Sequence, residues 1–387
     1  MGLLSPQTAA FLAKDIYLVQ SGARIAIEDF LDRPEFSRKQ GSATHLKAEV
    51  GSRLINTKDG FGMCVRGGKG YEKDLFLIFR GSTTANIGAD WISNARIGVE
   101  TSQTGLPVHI GFNSIFCSMK TSIEEFLANH QDAQGTVHCI GHSLGGAIAT
   151  LAADWVSAKG RNVKLYTIAA PKAGLEFFAD RLTTKMKAHN IYRVYHATDV
   201  VPMIPVYPFA HPPLGDIGYQ LPSGSLISLA AHKMQNYINS ISTNSWESLG
   251  VIAKKDIDDR SVERWLKSEK SVNPMNAKTW EWINAGLMLV LRKFIGGAVI
   301  SIQSPFIGTL TLADKIAWLL RKGIDLSVAA GEWVVCLMRK IMQALGMRLA
   351  KTAKELTQAF MRQVLQRLLA RMADDAMRVV RDLVNRN

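Results

Sequence analysis

The hexapeptide Gly141-His142-Ser143-Leu144-Gly145-Gly146 narrows the folds open to this chain more than any other stretch. It joins an apolar run (Val137, Cys139, Ile140) to a run of small, helix-compatible residues from Ala147 to Ala153. A serine with glycine two positions away on either side is the sequence form of a sharp strand-to-helix turn. Such a serine takes strained backbone angles, and the glycines remove Cβ atoms that would clash. The turn exposes the hydroxyl. It also aims the free N–H groups of the next helix at the place where an oxyanion would form. Ser143 is therefore the candidate nucleophile of a serine hydrolase.

The surroundings suit such a turn. Leu75 to Phe79 is a continuous apolar strand, as a sheet buried on both faces requires. Ile115 to Leu127 has helical spacing, Thr136 to Ile140 reads as a strand and Leu144 to about Ser157 as a helix. Val163 to Ala169 and Ile191 to His196 are further strands. This alternation over residues 60–240 predicts an α/β fold with a mostly parallel sheet. Sites in open α/β sheets lie at the carboxyl ends of strands. Ser143 and the Arg80-Gly81-Ser82 turn both follow strands, so they are expected to share one crevice.

A serine hydroxyl is a weak nucleophile at neutral pH and needs a histidine base, itself oriented by a carboxylate. On α/β-hydrolases these follow the serine in the order acid, then histidine. Asp199 stands just past the strand Ile191–His196, where a carboxylate points into the site. Its competitors are Asp154 and Asp180, which look like surface positions of helices, and Asp216 in a Pro/Gly loop. Among the later histidines, His211 lies inside a proline-rich loop. His232 opens the helix-like stretch Lys233–Ile238, where it would be fixed. His196 precedes Asp199 and breaks the order. Order and placement favour Asp199 and His232. An oxyanion hole needs two backbone donors, one from Leu144, after the nucleophile, and one from an early strand end, for which Ser82 is the natural choice.

Taken together, these segments resemble the class 3 (fungal-type) lipases. The matching elements are Phe79-Arg80-Gly81-Ser82, His109-Ile110-Gly111-Phe112, the Gly141–Gly146 hexapeptide, Ala170-Pro171-Lys172-Ala173-Gly174, Asp199-Val200-Val201-Pro202, and His232 with Tyr237 five residues on. The resemblance covers about residues 60–240. It implies an α/β-hydrolase core, esterase chemistry on acyl lipids, and a lid at about 84–99 that contains Trp91. By position it makes Ser143, Asp199 and His232 the triad, and Ser82 and Leu144 the oxyanion hole. One departure stands out. Family members often carry a histidine after a Tyr-Gln pair, whereas Tyr219-Gln220 is followed here by Leu221, which leaves His232 the better base.

A chain of 387 residues exceeds what one core usually supports. The expected division is a hydrolase domain over 1–250 and a basic, amphipathic, all-helical domain over 251–387. Charge separates the two. Residues 1–250 carry 23 Lys/Arg and 20 Asp/Glu, and residues 251–387 carry 23 and 13, so +10 of the net +13 lies in the tail. From Leu349 onward, to Leu383, apolar residues recur at helical spacing, with Arg362, Arg367, Arg371, Arg378 and Arg381 opposite. Upstream, Phe294 to Ala313 is free of charge for 20 residues, long enough to cross a bilayer but broken by paired glycines and a proline. A buried helical hairpin is the blander reading of that stretch.

Four scattered cysteines (Cys64, Cys117, Cys139, Cys336) fit neither a metal spacing nor a disulfide framework. Neither a metal nor a cofactor is expected. The first residues lack the features of a Sec signal peptide. The expected location is therefore the cytoplasm of the producing cell, or export by a specialised secretion system, with peripheral membrane association. Ser5-Pro6 reads as the cap and first residue of a helix running to about Gln20.

The expected substrate is a lipid ester. A +10 tail favours an anionic membrane surface, so a phospholipase of A1 or A2 type leads, acting as a secreted bacterial effector. A triacylglycerol or monoacylglycerol lipase is the alternative. A reading of another class makes the C-terminal helices a membrane-disrupting or partner-binding module, the protein partner being an immunity or delivery protein. Nucleic acid is not expected, because no basic surface interleaved with aromatics is visible.

Overall fold

The protein is described from a computed structural model covering residues 2–50, 57–82, 98–215, 217–253, 258–295, 311–350 and 352–384. Nearly all of the expected lid with its Trp91, the competitor Asp216 and most of the uncharged stretch 294–313 lie outside these residues.

Twelve strands are present among them: β1 (Ala43–Val50), β2 (Thr57–Arg66), β3 (Leu75–Phe79), β4 (Val99–Thr101), β5 (Pro107–His109), β6 (Val137–His142), β7 (Val163–Ile168), β8 (Gly174–Leu175), β9 (Ile191–His196), β10 (Phe209–Ala210), β11 (Ile217–Leu221) and β12 (Ile252–Ala253). Eight of them form the main sheet in the order β1-β2-β3-β6-β7-β9-β11-β12. Its centre, β3-β6-β7-β9-β11, is parallel. The outer pairings β1-β2, β2-β3 and β11-β12 are antiparallel. A small second sheet, β10-β8-β5-β4, lies apart from it. The structure thus has the mostly parallel α/β sheet that the alternation predicts.

Burial explains the central strands. Every side chain of β3 and β6 is buried, so both faces of the sheet must be covered by helices. Helix Ile110–Asn129 and helix Leu144–Ala158 pack against each other over one face. The second is buried from Leu144 to Val156 without a break. That overturns the surface placement of Asp154, which is 3% exposed and accepts a hydrogen bond from the Thr104 hydroxyl. A helix enclosed on all sides has no solvent face to give a carboxylate, and burial raises the pKa of Asp154. Asp180 is exposed, as expected.

On the other face, helix Pro6–Asp15 begins as the sequence predicts, with the Ser5 side chain accepting from the Thr8 N–H. It stops sooner, however, since Ile16–Ser21 continues as a 3₁₀ helix and ends at Gly22 with φ 66°. This tighter segment carries Tyr17 under the site.

His109 caps helix Ile110–Asn129 through Nδ1, which accepts the Gly111 N–H at 3.1 Å, and its ring stacks on Phe112. Burial pushes its pKa down to about 4. The unfolded chain therefore binds this proton near pH 6.5 and the folded chain only near 4. Stability is expected to be full above pH 6.5 and to fall as pH drops towards 4, by on the order of 3 kcal/mol from this residue. Urea unfolding midpoints between pH 7 and 4.5 test this, and His109→Gln should flatten the slope.

The C-terminal part is helical. Its main helices are Asp259–Lys267, Ala277–Ile295, Leu312–Leu326, Val328–Ala344 and Gln358–Val384. Thr311 and Asp314 form a capping box at the third, and Ser327 caps the fourth. The last helix buries Met361, Val364, Leu365, Leu368 and Met372 and exposes Arg362, Arg367 and Arg378. No helix among the described residues is long and apolar enough to cross a membrane.

These helices share one hydrophobic cluster with the α/β layer. Asn284 accepts the Tyr207 N–H at 2.6 Å, Arg292 pairs with Glu176, and the last helix packs on the 229–232 turn. β12, at residues 252–253, still pairs with the main sheet. The four cysteines are free.

Candidate active site

The turn after β6 carries the chemistry. Ser143 has φ 56° and ψ −130°, a strained conformation for a residue with a side chain. Backbone contacts hold it there. The Ser143 N–H donates to the Ile168 carbonyl at 2.9 Å, and the Ser143 carbonyl accepts from Gly146 at 2.9 Å.

The flanking glycines are needed for space. A Cβ on Gly141 would lie 2.2 Å from the Gly145 carbonyl oxygen, and one on Gly145 would lie 2.2 Å from that of Phe79. Both clashes are with backbone, so neither can be relieved by a side-chain rotation. Gly145→Ala is expected to cost at least about 2 kcal/mol of stability and most of the activity. Chemical denaturation checks this, and a midpoint equal to wild type would contradict it.

Three predicted residues meet at Ser143. His232 ends the 3₁₀ turn Leu229–His232, and its Nε2 lies 2.9 Å from Ser143 Oγ. Its Nδ1 lies 2.7 Å from Asp199 Oδ2. The carboxylate accepts, so Nδ1 carries the proton and Nε2 offers its lone pair to the serine hydroxyl. Ser143 is 2% exposed, and Asp199 and His232 are fully buried.

Two further donors satisfy Asp199. The Val201 N–H donates to Oδ1 at 3.0 Å and the Tyr237 hydroxyl to Oδ2 at 2.9 Å. Burial, and then the neighbouring Asp199 charge, push the Tyr237 hydroxyl far above its usual range, so it remains a donor.

Ser82 is buried at the end of β3, on the turn beside the nucleophile. A Cβ on Gly81 would sit 3.1 Å from Ser143 Cβ, which shows how closely that turn approaches. Arg80, fully buried, grips the turn by donating to the Gly81 carbonyl at 2.7 Å and to the Gly60 carbonyl at 2.5 Å. Leu144 is the first residue of the elbow helix, and the positive end of that helix faces the site. The arrangement is equipped for acyl transfer, with a nucleophile, a base within hydrogen-bond reach, a buried orienting carboxylate and nearby backbone donors.

The other histidines are engaged elsewhere. His211 Nε2 donates to the Pro202 carbonyl at 2.7 Å. His196 Nδ1 donates to the Ala231 carbonyl at 2.8 Å, and its Nε2 meets Ser240 Oγ at 3.0 Å. His196 thus steadies the turn that carries His232. Sequence reasoning missed this, and it missed His142 and Tyr17, which also touch that turn or its neighbours. His142 had a signal, since it lies inside the hexapeptide, but Tyr17 had none.

Comparison with known proteins agrees with this architecture. Residues 76–209 match the model of the family described as Lipase (class 3). The chain is 34% identical over 166 residues to secreted mono- and diacylglycerol lipase 1 of Fusarium solani, covering 42% of this chain and 48% of that protein. It is 26% identical over 156 residues to the chloroplastic phospholipase A(1) DAD1 of Arabidopsis thaliana, covering 34% of each. The chain spans about half, or less, of the length of these curated relatives. A solved mono- and diacylglycerol lipase from Aspergillus oryzae is similar over 60% of this chain and 86% of that one, at 20% identity and a TM-score of 0.42. Over residues 76–209 this chain is thus similar in sequence to the class 3 lipase family.

Proposed function

We propose that the protein hydrolyses lipid esters through Ser143, His232 and Asp199. The observation that carries this reading is the pair of contacts at His232, 2.9 Å to Ser143 Oγ and 2.7 Å to Asp199 Oδ2. Ser143 Oγ attacks the ester carbonyl while His232 Nε2 takes its proton. Asp199 holds the tautomer and stabilises the imidazolium. The carbonyl oxygen, now an oxyanion, rests on the Ser82 and Leu144 amides. His232 then gives its proton to the departing alcohol. In the second half, water loses a proton to His232 as it attacks the acyl-enzyme; the intermediate then releases the fatty acid, and His232 returns the proton to Ser143 Oγ.

The substrate we favour is a phospholipid in an anionic bilayer, cleaved as by an A1- or A2-type phospholipase. The +10 net charge of residues 251–387 supports this reading, because it draws the protein to such a surface. The 34% identity to a mono- and diacylglycerol lipase favours a second reading, hydrolysis of neutral glycerides. Product analysis separates the two. Fatty acid and lysophospholipid released from phosphatidylglycerol vesicles support the first. Release confined to emulsified glycerides supports the second and overturns the first.

A further inference from the structure

His142 stands directly before the nucleophile, and the mechanism above does not use it. Its ring is 1% exposed and engaged at both nitrogens. Nε2 lies 3.0 Å from the main-chain carbonyl oxygen of His232, and Nδ1 lies 2.8 Å from the Tyr17 hydroxyl. A carbonyl only accepts, so Nε2 carries the proton and Nδ1 receives the Tyr17 O–H. The Tyr17 oxygen sits against the Gly81 backbone, on the turn that carries Ser82.

The donors therefore run in one direction, from Tyr17 O–H to His142 Nδ1 and from His142 Nε2–H to the His232 carbonyl, with Gly81 packed against the Tyr17 oxygen. This chain joins the turn that carries Ser82 to the backbone of the base, passing beside the nucleophile. The fit is tight, because a Cβ on Gly81 would lie 2.3 Å from the Tyr17 oxygen.

We propose that His142 is a positioning residue. Its neutral imidazole, oriented by Tyr17, holds the His232 main chain so that Nε2 stays in reach of Ser143 and in register with the Ser82 turn. The inference rests on the triad reading above. Two observations support it. The His142 and His232 rings lie 4.7 Å apart, so a charged His142 would oppose the imidazolium that His232 becomes during turnover. Burial, and then repulsion from His232, hold the His142 pKa well below the usual imidazole range. His196 grips the preceding Ala231 carbonyl from the other side, so two successive carbonyls of this turn are fixed by side chains.

A residue that only filled space would tolerate any side chain of similar size. The test compares His142→Leu, His142→Gln and Tyr17→Phe in the full chain. It uses a soluble short-chain p-nitrophenyl ester, with kcat and KM corrected for folded fraction by circular dichroism. Glutamine keeps an N–H donor at the reach of Nε2, and leucine does not. A misplacement of about 1 Å costs about 100-fold in rate, so His142→Leu should lower kcat about 100-fold with KM nearly unchanged. His142→Gln should recover at least about tenfold of that loss. Tyr17→Phe should give a smaller loss of kcat, and it carries the test alone if the leucine variant fails to fold.

Wild-type kcat in His142→Leu, or in Tyr17→Phe where that variant stands alone, would overturn the proposal. So would a loss that glutamine does not relieve. Ser143→Ala in the same assay keeps the two readings apart. If it retains turnover, the triad reading fails. If it is inactive while His142→Leu is unimpaired, only the positioning role fails.

Discussion

Replacing Ser143 with alanine is expected to lower ester turnover by on the order of 10⁶-fold. The size follows from the architecture. The hydroxyl is the atom that bonds to substrate, and among the described residues Ser143 Oγ is the nucleophile that His232 Nε2 meets, at 2.9 Å. What remains should be the small residual rate that backbone donors and substrate binding supply without a nucleophile. Stability should change little, by about 1 kcal/mol, since the variant loses one buried hydrogen bond and keeps the same backbone. The strained φ of 56° persists in alanine, because its Cβ meets the same clash. Comparing initial rates with urea midpoints checks both halves. A large fall in stability would show that the elbow needs its hydroxyl to fold.

Asp199→Asn should be almost as damaging, by about 10⁴-fold in kcat. Asp199 Oδ2 accepts from His232 Nδ1 at 2.7 Å and from Tyr237 at 2.9 Å, while Oδ1 accepts the Val201 N–H. The Val201 contact fixes the amide oxygen of an asparagine on that side and turns its NH₂ towards His232. Nδ1 must then become the acceptor, and the imidazole proton moves to Nε2, where a lone pair is needed to receive the Ser143 proton. The same NH₂ confronts the Tyr237 hydroxyl, which must give up its donation there. The variant should fold, bind substrate with nearly unchanged KM and fail in kcat. A loss of KM with kcat intact would mean that Asp199 shapes the pocket rather than the base.

The central layers were legible in the sequence because two periodicities coincide there. The apolar run Leu75–Phe79 and the small-residue run after Ser143 allow one arrangement, a buried strand followed by a buried helix, and both form as read. Asp199 and His232 were legible from chain order and from their places just after a strand and just before a helix.

What was not legible depends on contacts between distant parts of the chain. Tyr17 and His142 meet across 125 residues, and no local pattern marks such a pairing. Asp154 has helical surface spacing, yet it lies buried because helix Leu144–Ala158 is covered on every side, including the side that faces Thr104. The amphipathic pattern after residue 349 predicted the long C-terminal helix. It gave no indication that this helix would pack on the turn that carries His232. Amphipathy shows that a face will be buried and leaves the partner open.

The central claim, that Ser143 is the nucleophile of a triad with His232 and Asp199, meets its most direct test in covalent capture. A p-nitrophenyl alkylphosphonate loses p-nitrophenolate when a serine oxygen attacks phosphorus, and the adduct resembles the tetrahedral intermediate. Peptide mapping of the full-length protein after this reaction should find a single phosphonate on Ser143. Release of p-nitrophenolate should run in step with loss of esterase activity. A phosphonate on another residue, or full inactivation with Ser143 unmodified, would contradict the account.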